Sequence, residues 1–174
     1  MRPRLALSRL RRLLALPSAR RALLMDGGWA LLKATWQVRT WPFAHLAATL
    51  GTVASPSATV ALQLPAPSDL PADLAWAGEV RWAISAWARV WPRQPTCLMQ
   101  AVAARHLLAA RGVPCETYFG VNRQSAAPGA QAQGIGAHAW LRCAGAIVTG
   151  DAEAANFQPI AVYRCTPSAR SSPT

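Results

Sequence analysis

Read for the spacing of its apolar positions, the chain changes character near residue 72. From Leu5 to about Leu50, large apolar residues recur at steps of three and four, as in Leu10, Leu13 and Leu14 and again in Trp29, Leu32 and Trp36, with arginine and lysine between them. That spacing predicts helices packed by those faces. Residues 51–72 are rich in Ser, Pro, Thr and Ala and predict a connector. A further helix is predicted from near Asp73, where Trp76, Val80, Ile84, Trp87 and Trp91 mark one face; a tryptophan stripe at that spacing reads first as packing. The helix of residues 95–114, "PTCLMQAVAARHLLAARGVP", is the best delimited, with Thr96 as N-cap and Gly112 and Pro114 as its stop. Later, "HAWLRC" and "AIVTGD" read as two short strands around Ala144-Gly145. The expected organisation is a basic helical region with connector over 1–72, an α+β unit over 73–165 and a tail over 166–174. No internal repeat is visible.

Composition adjusts this picture in two ways. With 52% hydrophobic and 14% charged residues in 174, the chain has the balance of a packed globular protein. Its net charge of +11 is an N-terminal property: residues 1–39 hold nine Lys/Arg against Asp26 alone, whereas residues 40–174 hold nine against six acids. Such an arm suits an acidic partner, an anionic lipid surface or a solvated helix face, and charge does not choose among them. Arg9, Arg11, Arg12, Arg20 and Arg21 interrupt every apolar run a secretory signal would need, and a mitochondrial transit peptide fits that composition better. The uncharged stretch Thr40–Ser68 is broken by Pro42, His45 and Pro56, short of a membrane span but compatible with peripheral membrane contact. Cys97, Cys115, Cys143 and Cys165 form no CxxC pair, which argues against a zinc site and, in a chain read as cytoplasmic, against a disulfide framework.

Candidate chemistry centres on Cys97. A cysteine in the first turn of a helix meets unpaired N–H groups and the positive end of the dipole, which favour the nucleophilic thiolate; the competing reading is a small buried residue. Cys115, Cys143 and Cys165 lie in or beside strand-like segments and read as packing. Of the three histidines, His106 is nine positions along the same helix, about 180° around and about 13 Å away, out of reach. His45, in the Trp-rich half, is not excluded, and His138 is favoured. If Ala144-Gly145 is a two-residue turn, Cys143 pairs with Ala146 and counting outward sets His138 opposite Asp151, close enough for a carboxylate to orient an imidazole. A three-residue loop bulged at Gly145 would shift that register by one, a slip Gly150 could absorb; Glu153 is the other nearby acid.

A cysteine opening a helix, "RGVP" closing it, a strand ending in "GV" and an "AHAWL" strand leading to an aspartate resemble the transglutaminase-like cysteine hydrolases. More specifically, "CLMQAVAARHLLAARGVPCETYFGV" with "AHAW" is similar to the leader peptidases of lasso-peptide biosynthesis, over about residues 75–163, and the Arg-rich N-terminal half with "WPF" at 41–43 resembles the helical preface of their stand-alone bacterial form. The resemblance implies a papain-like α+β core with the nucleophile's helix packed on a small antiparallel sheet. It implies a cofactor-free, metal-free cysteine protease with Cys97 as nucleophile, His138 as proton shuttle and Asp151 orienting His138. The oxyanion would be held by the Cys97 N–H, with Gln94 or the Trp91 indole as second donor. The implied partners are a precursor peptide, a separate leader-recognition protein, since no alternating strand pattern precedes residue 75, and an ATP-dependent lasso cyclase; no nucleic acid is implied. Arg11, Arg12, Arg20 and Arg21 are the candidate contacts to substrate or partner, and the loop 123–136 is either a connector or a flap over the peptide. A transglutaminase-like acyltransferase or other amide hydrolase, and a non-catalytic peptide-binding scaffold, are the alternatives.

Overall fold

A computed structural model describes residues 15–54, 70–123 and 135–166, apart from the side chains of Leu70, Arg123, Ile135, Ala152 and Glu153. In chain order it contains α1 (Ser18–Thr40), α2 (Phe43–Leu50), β1 (Thr52–Ala54), α3 (Leu70–Ala88), α4 (Cys97–Ala110), β2 (Cys115–Arg123), β3 (Ile135–Cys143), β4 (Ala146–Thr149), α5 (Asp151–Ala154) and β5 (Gln158–Cys165). The α+β class is as expected. Leu5, Leu10, Leu13 and Leu14, the proposed 123–136 loop between Gln124 and Gly134, and the tail beyond Thr166 lie outside the described residues.

The five strands form one sheet in the order β1-β5-β2-β3-β4, antiparallel at every pairing. The long helices α1, α3 and α4 cover one face. Leu31, Leu50, Ile84, Leu108 and Leu141, all fully buried, belong to one continuous core that also takes in Cys115, Cys143 and Cys165 from the sheet. Each such aliphatic side chain contributes about 1.5–3 kcal/mol relative to exposure. On the other face a smaller cluster gathers Tyr118, Trp140, Val162 and Ala154, with Phe157 against it. Gly120 makes this possible, because a Cβ there would stand 2.8 Å from the Trp140 ring that stacks on Tyr118.

Two expectations are corrected. The packing face of α1 is the reverse of the one anticipated: Leu23, Gly27, Ala30, Leu31 and Ala34 are buried, while Trp29, Leu32 and Trp36 are 71%, 51% and 57% exposed. Small residues win because α3 approaches closely; a Cβ on Gly28 would meet the Trp87 indole at 2.7 Å, and that indole donates to the Leu24 carbonyl over 2.6 Å. The tryptophan stripe packs as expected, with Val80 and Ile84 fully buried and Trp76, Trp87 and Trp91 partly buried against the same core. The connector also holds a strand: β1, three residues long and too short for an alternating pattern, pairs along β5 through Val53↔Tyr163.

Candidate functional site

Helix α4 begins as its sequence predicts. Thr96 is the N-cap, in an extended conformation, and its hydroxyl accepts from the Met99 N–H over 3.3 Å. Gly112, at φ +68°, ends it. Cys97 is therefore the first helical residue, half-buried and with a free thiol. Its sulfur accepts from the backbone N–H of Ala139 on β3, 3.4 Å away. Backbone N–H groups lie in the plane of a sheet, so this bond sets the sulfur at the edge of β3, one residue from His138. The edge is open there because the β3–β4 pairing stops at Leu141↔Thr149.

His138 is 9% exposed and faces the smaller cluster, with its ring stacked beside Trp140 at 5.9 Å between centroids and tilted against Phe157 at 5.0 Å. Its Nε2 lies 2.9 Å from the Gly150 carbonyl oxygen. A carbonyl can only accept, so the hydrogen in this bond is carried by Nε2. In the neutral ring that leaves Nδ1 as the basic nitrogen.

The hairpin explains this contact. Ala144 (φ +48°) and Gly145 (φ +84°) form the two-residue turn, a primed geometry that suits strand twist, and Cys143 pairs with Ala146 as counted. A bulge at Val148 then displaces the register, so Leu141 faces Thr149 and the expected direct opposition of His138 and Asp151 does not form. Gly150, at φ +78°, takes the chain out of the ladder, and a Cβ there would fall within 3.0 Å of Ala139 O, Trp140 Cβ and His138 Nε2. Asp151 opens α5, with its carboxylate paired to Arg81 of α3. Glu153 follows on α5, and its side chain is not among those described.

The other histidines stand apart from this geometry. His106 Nε2 meets Gln37 Oε1 at 2.9 Å, and its imidazole is held down to about 4 by burial first and then by Lys33 and Arg105. His45 is exposed and packs its ring on Trp41. Trp91 and Gln94 line a recess of about 480 Å³ with Ser85, Ala88, Arg89 and Gln100, and Gln94 and Gln100 flank Cys97 by three positions on each side. Of the basic candidates, Arg11 and Arg12 lie outside the described residues, Arg20 is forked onto Glu79 and over Trp82, and Arg21 is exposed. Among the described residues, no three His, Cys, Asp or Glu side chains are grouped to hold a metal, and no helix is long and apolar enough to cross a membrane.

Sequence reasoning did not find Arg81, the Gly150 carbonyl or Phe157. Arg81 is 66 and 70 positions from the groups it binds and nothing local marks it.

The family model described as the transglutaminase-like superfamily matches residues 37–162, a span that contains Cys97, His138 and Asp151. No curated protein and no solved structure gives a significant match to the chain.

Proposed function

The chain belongs to the transglutaminase-like superfamily, and from that premise we propose that it is a cysteine peptidase that removes the leader from a lasso-peptide precursor in the cytoplasm. The observation that carries the reading is the position of the Cys97 sulfur, at the first residue of α4 and against the backbone of the strand that bears His138. The lasso-specific part rests on the resemblance of residues 75–163 to those peptidases.

In the proposed reaction the Cys97 thiolate adds to the carbonyl carbon at the leader/core junction, forming a C–S bond and a tetrahedral oxyanion. The Cys97 N–H, with Gln94 or the Trp91 indole, stabilises that oxyanion. Collapse breaks the C–N bond as protonated His138 gives its proton to the leaving amine, which frees the core and leaves the leader as a thioester on Cys97. Water, losing a proton to His138, then releases the leader as a carboxylate and restores the thiol. Asp151 fixes the imidazole during both proton transfers. The core's free amine becomes substrate for a separate ATP-dependent cyclase, and a separate leader-recognition protein presents the precursor. No step calls for a cofactor.

The test is cleavage of the cognate precursor with the leader-recognition protein present. Cys97→Ala should abolish it with the fold intact, and His138→Ala should be nearly as damaging. Full cleavage by Cys97→Ala would overturn the reading. Transfer of the acyl group to an added amine in place of hydrolysis would make the chain an acyltransferase, and binding of the precursor without either reaction would leave a scaffold.

A further inference from the structure

A backbone carbonyl orients a histidine only as well as its own peptide is held, and the peptide that meets His138 sits at a corner between two short elements. β4 ends at Thr149, Gly150 turns the chain at φ +78°, and Asp151 starts the four-residue α5. Neither element is long enough to fix that corner alone. Arg81 spans it from α3: one arm of its guanidinium donates to the Ile147 carbonyl over 3.1 Å and the other to Asp151 Oδ2 over 2.5 Å. Its two anchors lie three residues before Gly150 and one after it. The carbonyl that meets His138 and the nitrogen of Asp151 belong to the same peptide unit, so restraining Asp151 restrains the acceptor.

We infer that Arg81 is a positioning residue for His138, acting through the Ile147–Asp151 corner, and that the Asp151 carboxylate exerts its effect on the imidazole by anchoring this corner to Arg81. The inference rests on the Cys97/His138 reading given above. It explains why the side chain at 81 is a forked one: arginine can hold a carbonyl and a carboxylate together, whereas lysine offers one compact charge. It also predicts an unusual signature. The two side chains are 47% and 49% exposed, a setting in which an ion pair adds little to global stability. Loss of Arg81 should therefore disturb the histidine far more than it disturbs folding, and salt should imitate the loss.

The test needs no substrate. The full-length protein is treated with iodoacetamide across pH, and the alkylation rate of Cys97 is followed by mass spectrometry of its peptide, for the wild type, Arg81→Met, Arg81→Lys, Asp151→Asn, Arg81→Met/Asp151→Asn and His138→Ala. His138→Ala sets the profile of a cysteine without its histidine. Arg81→Met and Asp151→Asn should each move the profile part of the way towards it, lowering the neutral-pH rate by roughly three- to tenfold, the worth of one ordinary hydrogen bond. The double variant should go no further than either single one, because both cut the same strut. Arg81→Lys should lie between wild type and Arg81→Met, and added salt should shift the wild type but not the double variant. Arg81→Met and Asp151→Asn profiles matching the wild type, with His138→Ala displaced, would overturn the positioning role and leave the peptidase reading standing. Coincident wild-type and His138→Ala profiles would remove the Cys97/His138 pairing itself, and this inference with it.

Discussion

Cys115 and Cys165 are register partners across β2 and β5, and the Arg105 guanidinium donates to the Cys165 sulfur from 3.6 Å. Arg105 is itself tied down by its Nε, which donates to the Leu50 carbonyl over 3.2 Å. The pair divides its acidity. A hydrogen bond from Cys115 and the charge of Arg105 bring Cys165 down to about 6 against the opposing effect of burial, while the same hydrogen bond and burial push the Cys115 thiol well up.

A small neutral electrophile offered near pH 7.5 to a Cys97→Ala background should therefore modify Cys165 ahead of Cys143, whose thiol burial holds at about 11. The Cys165 rate should fall as pH is lowered through about 6. Arg105→Met should slow the reaction at neutral pH and move its rise to higher pH. Site-resolved mass spectrometry that finds Cys143 modified first, or an Arg105→Met profile like the wild type, would contradict this.

His106 ties stability to pH. Its folded value of about 4 lies below the ordinary 6.5, so between those limits the unfolded chain binds the extra proton. The stabilising effect of keeping His106 neutral is complete above about 6.5 and is lost as pH falls towards 4. Its size is on the order of 2 kcal/mol, since the imidazole is not fully enclosed. His106→Gln, which can still hydrogen-bond Gln37, should flatten the denaturation midpoint across pH 4–6.5. An unchanged slope in that variant would assign the acid sensitivity elsewhere.

Gly150→Ala should be damaging out of proportion to one methyl group. The left-handed backbone costs a non-glycine residue roughly 1–2 kcal/mol. The new Cβ would also stand 2.8 Å from the Ala139 carbonyl, 2.9 Å from the Trp140 Cβ and 3.0 Å from His138 Nε2, so the corner that meets the imidazole must shift. Gly145→Ala, at φ +84° with open space around it, pays only the backbone cost and serves as the control. Equal losses of precursor cleavage in the two variants would show that the crowding at Gly150 does not matter.

The outer face of α1 aligns Met25, Trp29, Leu32 and Trp36, each more than half exposed, with Arg21, Lys33 and Arg39 also at the surface and Asp26 as the helix's acid. Tryptophan and cations together suit a lipid interface, so this face is where the anionic-lipid reading of the basic arm can be tested. Co-sedimentation with anionic vesicles at low salt should weaken roughly thirtyfold for each of Arg21→Glu, Lys33→Glu and Arg39→Glu, since each reversal changes the charge by two units at ~1 kcal/mol per charge near such a surface. Arg20 is unsuitable for this test because its reversal would set two carboxylates together at Glu79. No binding by the wild type, or binding indifferent to salt and to these reversals, would end the membrane proposal.

What could be read from the sequence was whatever local chemistry decides. Thr96, Cys97 and Gly112 specify their helix within a few residues, and Ala144-Gly145 specifies its turn, so the setting of Cys97 and the first pair of the hairpin were legible. The bulge at Val148 was not, because an extra residue in a strand leaves no mark on its apolar alternation, and that one-residue slip changed which group meets His138. The face of α1 was inverted because the helix is apolar on both sides, and only the close approach of α3 shows that the glycine-alanine side is the packed one. Arg81 joined the site across some seventy positions, a relation that no spacing rule encodes.

The order of the strands bears on synthesis. β5 comes after the other four in the chain yet lies inside the sheet, between β1 and β2. A chain still emerging from the ribosome without residues 158–165 can form the β2–β3–β4 ladder and the helix that starts at Cys97, but β1 then has no neighbour and β2 presents a bare edge. Closing the gap joins residues 52–54 to 162–164, a contact of high sequence separation that must come late. Until then the nascent chain carries two unpaired ladders, the kind of surface that recruits stray strands, and β5 ends that exposure by filling both at once.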